Sequence, residues 1–252
     1  MPAVALNAGS PADNAEVGNA ATSIAAISLN LNSATNTELV VYICFSANVS
    51  SITGTFGAKS LVLVGGPSTS TNCGNSYIYH VSAPATGVST ALNISWTTAS
   101  DYEVAQLAFD NVGGGLVYHA ASGNSATASV ALATTGANDA AVAGFQNTHT
   151  GVFSASGQTG TQLLNDSSNA INGAVNWLTG TAANQVMSNG LVSDNWEAVG
   201  VAILNVAAAT CPRTLLQLGV GCWAAKKLEE NPILERRSLI LPPRYRNGRR
   251  DH

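Results

Sequence analysis

The sequence predicts an all-β fold, an antiparallel β-sandwich of jelly-roll-like type, and three observations carry that expectation. Apolar and polar residues alternate with period two from residue 22 onward, in short runs divided by Gly, Ser, Asn and Pro. Charged residues make up only 10% of the 252, against roughly 25% in an average globular domain. Their place is taken by Gly, Ala, Ser, Thr and Asn, a composition that meets water through hydroxyls and amides. No segment before residue 212 repeats its apolar residues at the 3.6-residue helical period. Repeated apolar runs exclude a disordered chain, which would be rich in charge and poor in β-branched residues. The length is enough to bury a substantial core.

Taken in order, a short strand is expected at Ala3–Asn7 and a first long one through Ile24, Ala26, Leu29 and Leu31. Thr37–Ser46 is apolar at odd and even positions alike, which marks a strand covered on both faces at the centre of the body. Val49–Phe56, Lys59–Val64 and Tyr77–Val81 follow between polar turns. Val88–Thr98 and Tyr102–Val112 read as two further strands, and Gly113-Gly114-Gly115 as a break after them. Ala126–Ala133, Asp139–Asn147, Gln158–Asn165, Gly173–Leu178 and Trp196–Val206 complete about a dozen strands at sandwich-like spacing.

At Thr210-Cys211-Pro212-Arg213 the texture changes. Residues 1–212 hold one basic residue, Lys59, and ten acidic ones, a formal charge of −9. Residues 213–252 hold nine basic and four acidic residues, +5, which together give the chain its −4. The organisation expected is a β-sandwich body over residues 1–210 and a C-terminal anchoring arm over 211–252. The arm reads as partly helical over Thr214–Glu230, weakened by Gly219 and Gly221, and extended after Pro242-Pro243. Its basic residues are seven Arg against two Lys, interleaved with Leu, Ile, Tyr and Pro. Arginine suits bidentate and buried contacts, so the pattern points to a protein interface more than to a polyanion. The residues expected to make it are Arg213, Trp223, Arg236, Arg237, Arg244, Tyr245, Arg246, Arg249 and Arg250.

The acidic body argues against nucleic acid binding. Met1-Pro2-Ala3-Val4 lacks the basic and apolar regions of a signal peptide. The longest apolar stretches, Leu39–Phe45 and Ala198–Leu204, fall far short of the ~20 residues that cross a bilayer. A soluble protein without a membrane partner is therefore expected. Cys44, Cys73, Cys211 and Cys222 show no zinc spacing; Cys44 reads as a small core residue, and pairing of Cys211 with Cys222 stays open.

The body resembles a β-sandwich module, jelly-roll or concanavalin-like, of tailed-phage virion structural proteins. The resemblance rests on Glu38–Ile43 with Val49–Val64, on Ser76–Gly87 leading into Leu92-Asn93-Ile94-Ser95-Trp96, on Ala126–Ala133 with Asn138–Val142, and on Asn195–Ile203. It spans most of residues 22–206 and excludes the arm. It implies a place in fibres, decoration proteins or tail tips, and it supplies no functional residues.

Glycan hydrolysis needs two carboxylates across a cleft, and Asp101 with Glu103, or Asp194 with Glu197, offers a pair. The competing reading, Asp101 in a turn with Glu103 and Glu197 as solvated strand residues, is preferred. His80, His119 and His149 have no Gly-x-Ser-x-Gly elbow beside them. Asp13-Asn14, Asp110-Asn111, Asn165-Asp166 and Asp194-Asn195 read as turn formers ahead of calcium ligands. No catalytic residue, cofactor or metal is therefore assigned. Trp96 and Trp196 fall on apolar phases and read as core, leaving Trp177 as the candidate glycan contact.

The expectation is a non-enzymatic virion protein, made in the host bacterial cytoplasm. It would be of head-decoration or head-fibre type, with the acidic body outside and the arm docked on capsid or tail subunits, as a homo-oligomer. The alternatives are a tail or baseplate component, or a carbohydrate-binding adhesion module facing a host-surface glycan.

Overall fold

The computed structural model describes residues 2–10, 15–24, 26–69, 73–133, 135–147, 152–154, 156–167 and 171–205. The expected arm, with Arg213, Trp223, Arg236, Arg237, Arg244, Tyr245, Arg246, Arg249 and Arg250, lies outside the described residues, as do Cys211 and Cys222.

The described residues form no helix and build two antiparallel sheets, so the all-β sandwich expectation holds. The first sheet contains β1 (Ala5–Leu6), β2 (Ala15–Ser23), β3 (Ile27–Asn30), β4 (Glu38–Phe45), β5 (Thr53–Phe56), β6 (Lys59–Ser60), β7 (Val62–Thr69), β8 (Asn75–Ser82) and β9 (Ser89–Asp110). Its path is β6-β5-β9-β4-β8-β7, with β1, β2 and β3 also paired to β9. The second sheet contains β10 (Val112–Leu132), β11 (Ala140–Asn147), β12 (Thr161–Asp166), β13 (Asn172–Thr179) and β14 (Gln185–Asn205), in the order β10-β14-β11-β13-β12. The chain completes one sheet before it begins the other.

Three buried clusters result, because strand side chains alternate between two faces. Leu39, Val41, Ile43 and Phe45 of β4 enter a cluster enclosed by the first sheet, with Phe56, Leu92 and Trp96. Val40, Tyr42 and Cys44 of the same strand enter the layer between the sheets, against Val142, Val175, Val199, Val201 and Ile203. Ala141, Ala143 and Phe145 of β11 turn to a third cluster within the second sheet, with Met187 and Trp196. The doubly apolar stretch 39–45 is thus covered on both faces, as the sequence predicts.

The structure corrects several expected boundaries. Val88–Thr98 and Tyr102–Val112 are one 22-residue strand, β9. The Ser100-Asp101 segment inside it marks an exchange of neighbours instead of a turn. On one side of β9 the neighbour changes from β5 before this segment to β4 after it, while on the other side β3, β2 and β1 follow one another, with β2 pairing on both sides of the segment. Gly113-Gly114-Gly115 does not break the chain but forms a bulge near the start of the 21-residue β10. Gly115 has φ 88, and a Cβ on Gly114 would stand 2.5 Å from the Asn205 carbonyl oxygen. Ala126–Leu132 and Trp196–Asn205 are portions of β10 and β14, which run together from Val112↔Asn205 to Leu132↔Gln185. Of the predicted first long strand only Ile27–Asn30 is strand, β3; β2 precedes it and ends at Ser23.

The sheets approach closely because glycines face aromatic rings. A Cβ on Gly144 of β11 would lie 2.1 Å from Tyr42 Cε2 of the opposite sheet, and one on Gly65 of β7 2.2 Å from Tyr118 Cγ of β10. Gly144→Ala is expected to destabilise the body by roughly 1–3 kcal/mol through overpacking, lowering Tm by about 2–12 °C in calorimetry. An unchanged Tm would show that the Tyr42 ring does not cross Gly144.

Candidate functional site: a buried carboxyl belt and a hydroxyl-lined groove

Period-two alternation puts Glu103 on the same face of β9 as Ala105, Leu107 and Phe109, and Glu197 on the same face of β14 as Val199, Val201 and Ile203. Both faces turn into the layer between the sheets, and both glutamates are 0% exposed. The expectation that they are solvated strand residues is therefore overturned. The glycosidase reading gains nothing from this, since neither carboxyl offers surface to a substrate.

Two cross-strand rows meet here. In the first sheet Ser76, Cys44 and Glu103 stand abreast on β8, β4 and β9. In the second, Glu197, Gln146 and Gly173 stand abreast on β14, β11 and β13. Ser76 Oγ lies 2.9 Å from Gln146 Oε1 and is also in hydrogen-bond contact with Glu197 Oε1. Gln146 Nε2 donates across the layer to the Phe45 carbonyl oxygen at 2.6 Å. Glu103 accepts from the Gly173 backbone N–H, and the Cys44 thiol lies 3.9 Å from Glu103 Oε2. A Cβ on Gly173 would fall 1.5 Å from that same oxygen, so only glycine admits the carboxyl. The Tyr42 hydroxyl, within reach of the Cys44 thiol, makes no hydrogen bond of regular geometry.

Burial dominates the electrostatics. It pushes Glu197 up to about 8, against the lowering effect of Ser76. Burial, and then the charge of Asp166, hold Glu103 well above the ordinary carboxylate range, partly offset by Gly173 and Cys44. Burial and then Glu103 raise the Cys44 thiol. Tyr118 is pushed up to about 12 by burial and then by Glu197.

The other carboxylates are spent on local bonds. Asp110 accepts from Asn7 Nδ2 at 2.9 Å and Thr37 Oγ1 at 2.7 Å. Asp139 accepts from the Gly136 and Asn205 amides, each at 2.7 Å, and Asp101 from the Ala20 amide at 2.8 Å. Asp194 accepts from the amide of Asn195 at 2.7 Å, Glu16 takes the Tyr102 hydroxyl, and Glu38 meets His80 Nδ1 at 3.1 Å. All nine described acidic residues are buried or half-buried. The negative charge of the body is thus turned inward and onto turns, and the outer skin is largely uncharged.

A groove of about 500 Å³ lies in the first sheet, with Ile24 and Ile94 below and Ser23, Thr53, Ser60, Asn93 and Ser95 among its walls. Its polar lining is entirely hydroxyl and amide. Trp177 is not part of it: the ring is half-buried on β13 and packs against the inter-sheet layer. Trp96 and Trp196 are core, at 5% and 6% exposure, as the apolar phase of their strands predicts. Cys44 and Cys73 are both buried, and the Cys73 sulfur lies 3.9 Å from the Gln146 and Asn195 carbonyl oxygens. Ser76, Gln146 and Gly173 went unnoticed in the sequence, where each is one more small or polar residue in a strand.

Neither a known family nor a curated protein nor a solved structure matches this chain.

Gln146→Ala removes the partner of both Phe45 O and Ser76 Oγ in a buried setting. It is expected to cost roughly 1–3 kcal/mol, measured by denaturant unfolding. A loss below a few tenths of a kcal/mol would mean that the belt does not bridge the sheets.

Proposed function

We propose that the chain is a non-enzymatic structural protein of a bacteriophage particle. In this reading the β-body is displayed on the outside, as a head-decoration or head-fibre protein, and the basic C-terminal segment docks on neighbouring virion subunits. The observation that carries it is the division of labour in charge. The nine described carboxylates of the body are buried or half-buried, and its described surface is rich in hydroxyls and amides. The nine basic residues after 212 are then left to find carboxylates on another protein, where arginine forks give directed contacts. Complete enclosure of Glu103 and Glu197 supports a role without catalysis.

Deleting residues 213–252 is expected to abolish incorporation into particles while leaving the thermal transition of the body in place. Truncated protein found on purified particles at normal occupancy would sink the docking role.

The second reading, a carbohydrate-binding adhesion module, is favoured by the uncharged groove over Ile24 and Ile94. Polar rims above an apolar floor suit the hydroxyls and C–H faces of a neutral sugar. Glycan-array binding lost in Asn93→Ala and kept in Trp177→Ala would assign the ligand to the groove. The converse pattern would assign it to Trp177, and no binding across the array would remove this reading.

A further inference from the structure

The hydrogens of the belt can be counted. Gln146 Nε2 donates to Phe45 O, which turns Gln146 Oε1, an acceptor only, toward Ser76. Ser76 has a single hydroxyl proton. If it went to an ionised Glu197, two bare acceptors, Ser76 Oγ and Gln146 Oε1, would be left 2.9 Å apart in a buried layer. The arrangement closes only when Glu197 carries a proton and donates it to Ser76 Oγ, while Ser76 donates to Gln146 Oε1. The result is a directed chain from β14 through β8 to β11 and on to the β4 carbonyl, crossing between the sheets three times.

Among the described residues no countercharge opposes this assignment. The ionisable groups acting on the two carboxyls are Tyr42 and Cys44 from β4, Tyr77 from β8, Tyr118 from β10 and Asp166 from β12, with the glutamates on β9 and β14 facing the same layer. The elements β11 and β13 contribute uncharged Gln146 and Gly173. Lys59, the single Lys or Arg before residue 213, has its ammonium bonded to the carbonyls of Ser82 and Ala83 at 2.9 and 2.5 Å. An ionised carboxylate here would be an unpaired buried charge, the costliest arrangement a core can hold.

We propose that Glu197, Ser76 and Gln146 form a proton-dependent lock between the two sheets, closed at acid and neutral pH and released on the alkaline side. The inference does not rest on the virion reading and holds whether that reading stands or fails. Burial raises Glu197 from an ordinary 4.5 to about 8. The folded state therefore keeps a proton that the unfolded chain has already lost. The stabilising contribution is complete below about pH 4.5 and is lost as pH climbs through about 8. Glu103, raised for the same reason, acts in the same direction.

Chemical unfolding of the full chain across this range tests the lock. For Glu197 the folding equilibrium constant should fall up to about tenfold per pH unit between the two values, and Glu103 adds a fall of the same sign. Glu197→Gln, whose amide can donate to Ser76 without titrating, should lose one carboxyl's share of that slope and gain stability relative to wild type above about pH 8. A flat wild-type profile, or a Glu197→Gln slope equal to wild type, would overturn the proposal. Should the variant fail to fold, infrared spectra of the wild-type protein decide. A buried protonated-carboxyl C=O band at neutral pH that disappears in alkali supports the lock, and its absence at neutral pH refutes it.

Discussion

The structure depends on a layer that neither sheet can avoid burying. Strands β4, β9, β11 and β14 each send one set of side chains into a cluster of their own sheet and the alternate set into the space between sheets. Over Leu39–Phe45, Tyr102–Phe109, Ala140–Asn147 and Trp196–Ile203 these strands have no solvent face on which to leave a polar group. Whatever hydrogen-bonding capacity enters the middle layer must be satisfied there. Glu103 and Glu197 meet part of that requirement through Ser76, Cys44 and the Gly173 amide, from strands at the same level of the stack, while Glu103 Oε1 and Glu197 Oε2 have no hydrogen-bond partner among the described residues.

The same constraint explains the small residues. Two twisted sheets packed face to face leave room for large side chains only where the opposite strand yields space. Gly144 yields to Tyr42, Gly65 to Tyr118 and Gly173 to Glu103. The glycines and alanines that give the composition its unusual cast therefore belong as much to the interior as to the turns. Ala140, Ala141, Ala143, Ala198 and Ala202 are all fully buried. Charge is scarce outside for a related reason: the carboxylates are committed to capping amides and closing loops, where a neutral residue could not accept as many bonds.

Some of this was legible beforehand and some was not, for identifiable reasons. The stretch Leu39–Phe45 declared itself because apolar residues on both phases admit no solvated face. The tryptophans Trp96 and Trp196 declared themselves by phase. The glutamates did so too, since Glu103 shares its phase with Leu107 and Phe109 and Glu197 with Val199 and Val201; a solvated assignment contradicted that alternation. The long strands were misread because Ser100-Asp101 and Gly113–Gly115 look like punctuation. Local residue types cannot tell a turn from a bulge, or from a point where a strand changes partners, because all three relax the same backbone restraint.

By itself the sequence determined an all-β body, the doubly buried strand at its centre, and a basic segment set apart from acidic residues. Each of these follows from a periodicity or a count along one chain. Only the tertiary structure decided that the faces carrying Glu103 and Glu197 turn into one layer, and that Ser76 and Gln146 lie between them. Alternation gives a strand two faces but says nothing about what each face meets. That is settled by strand order and register, which join residues as distant as 76 and 197.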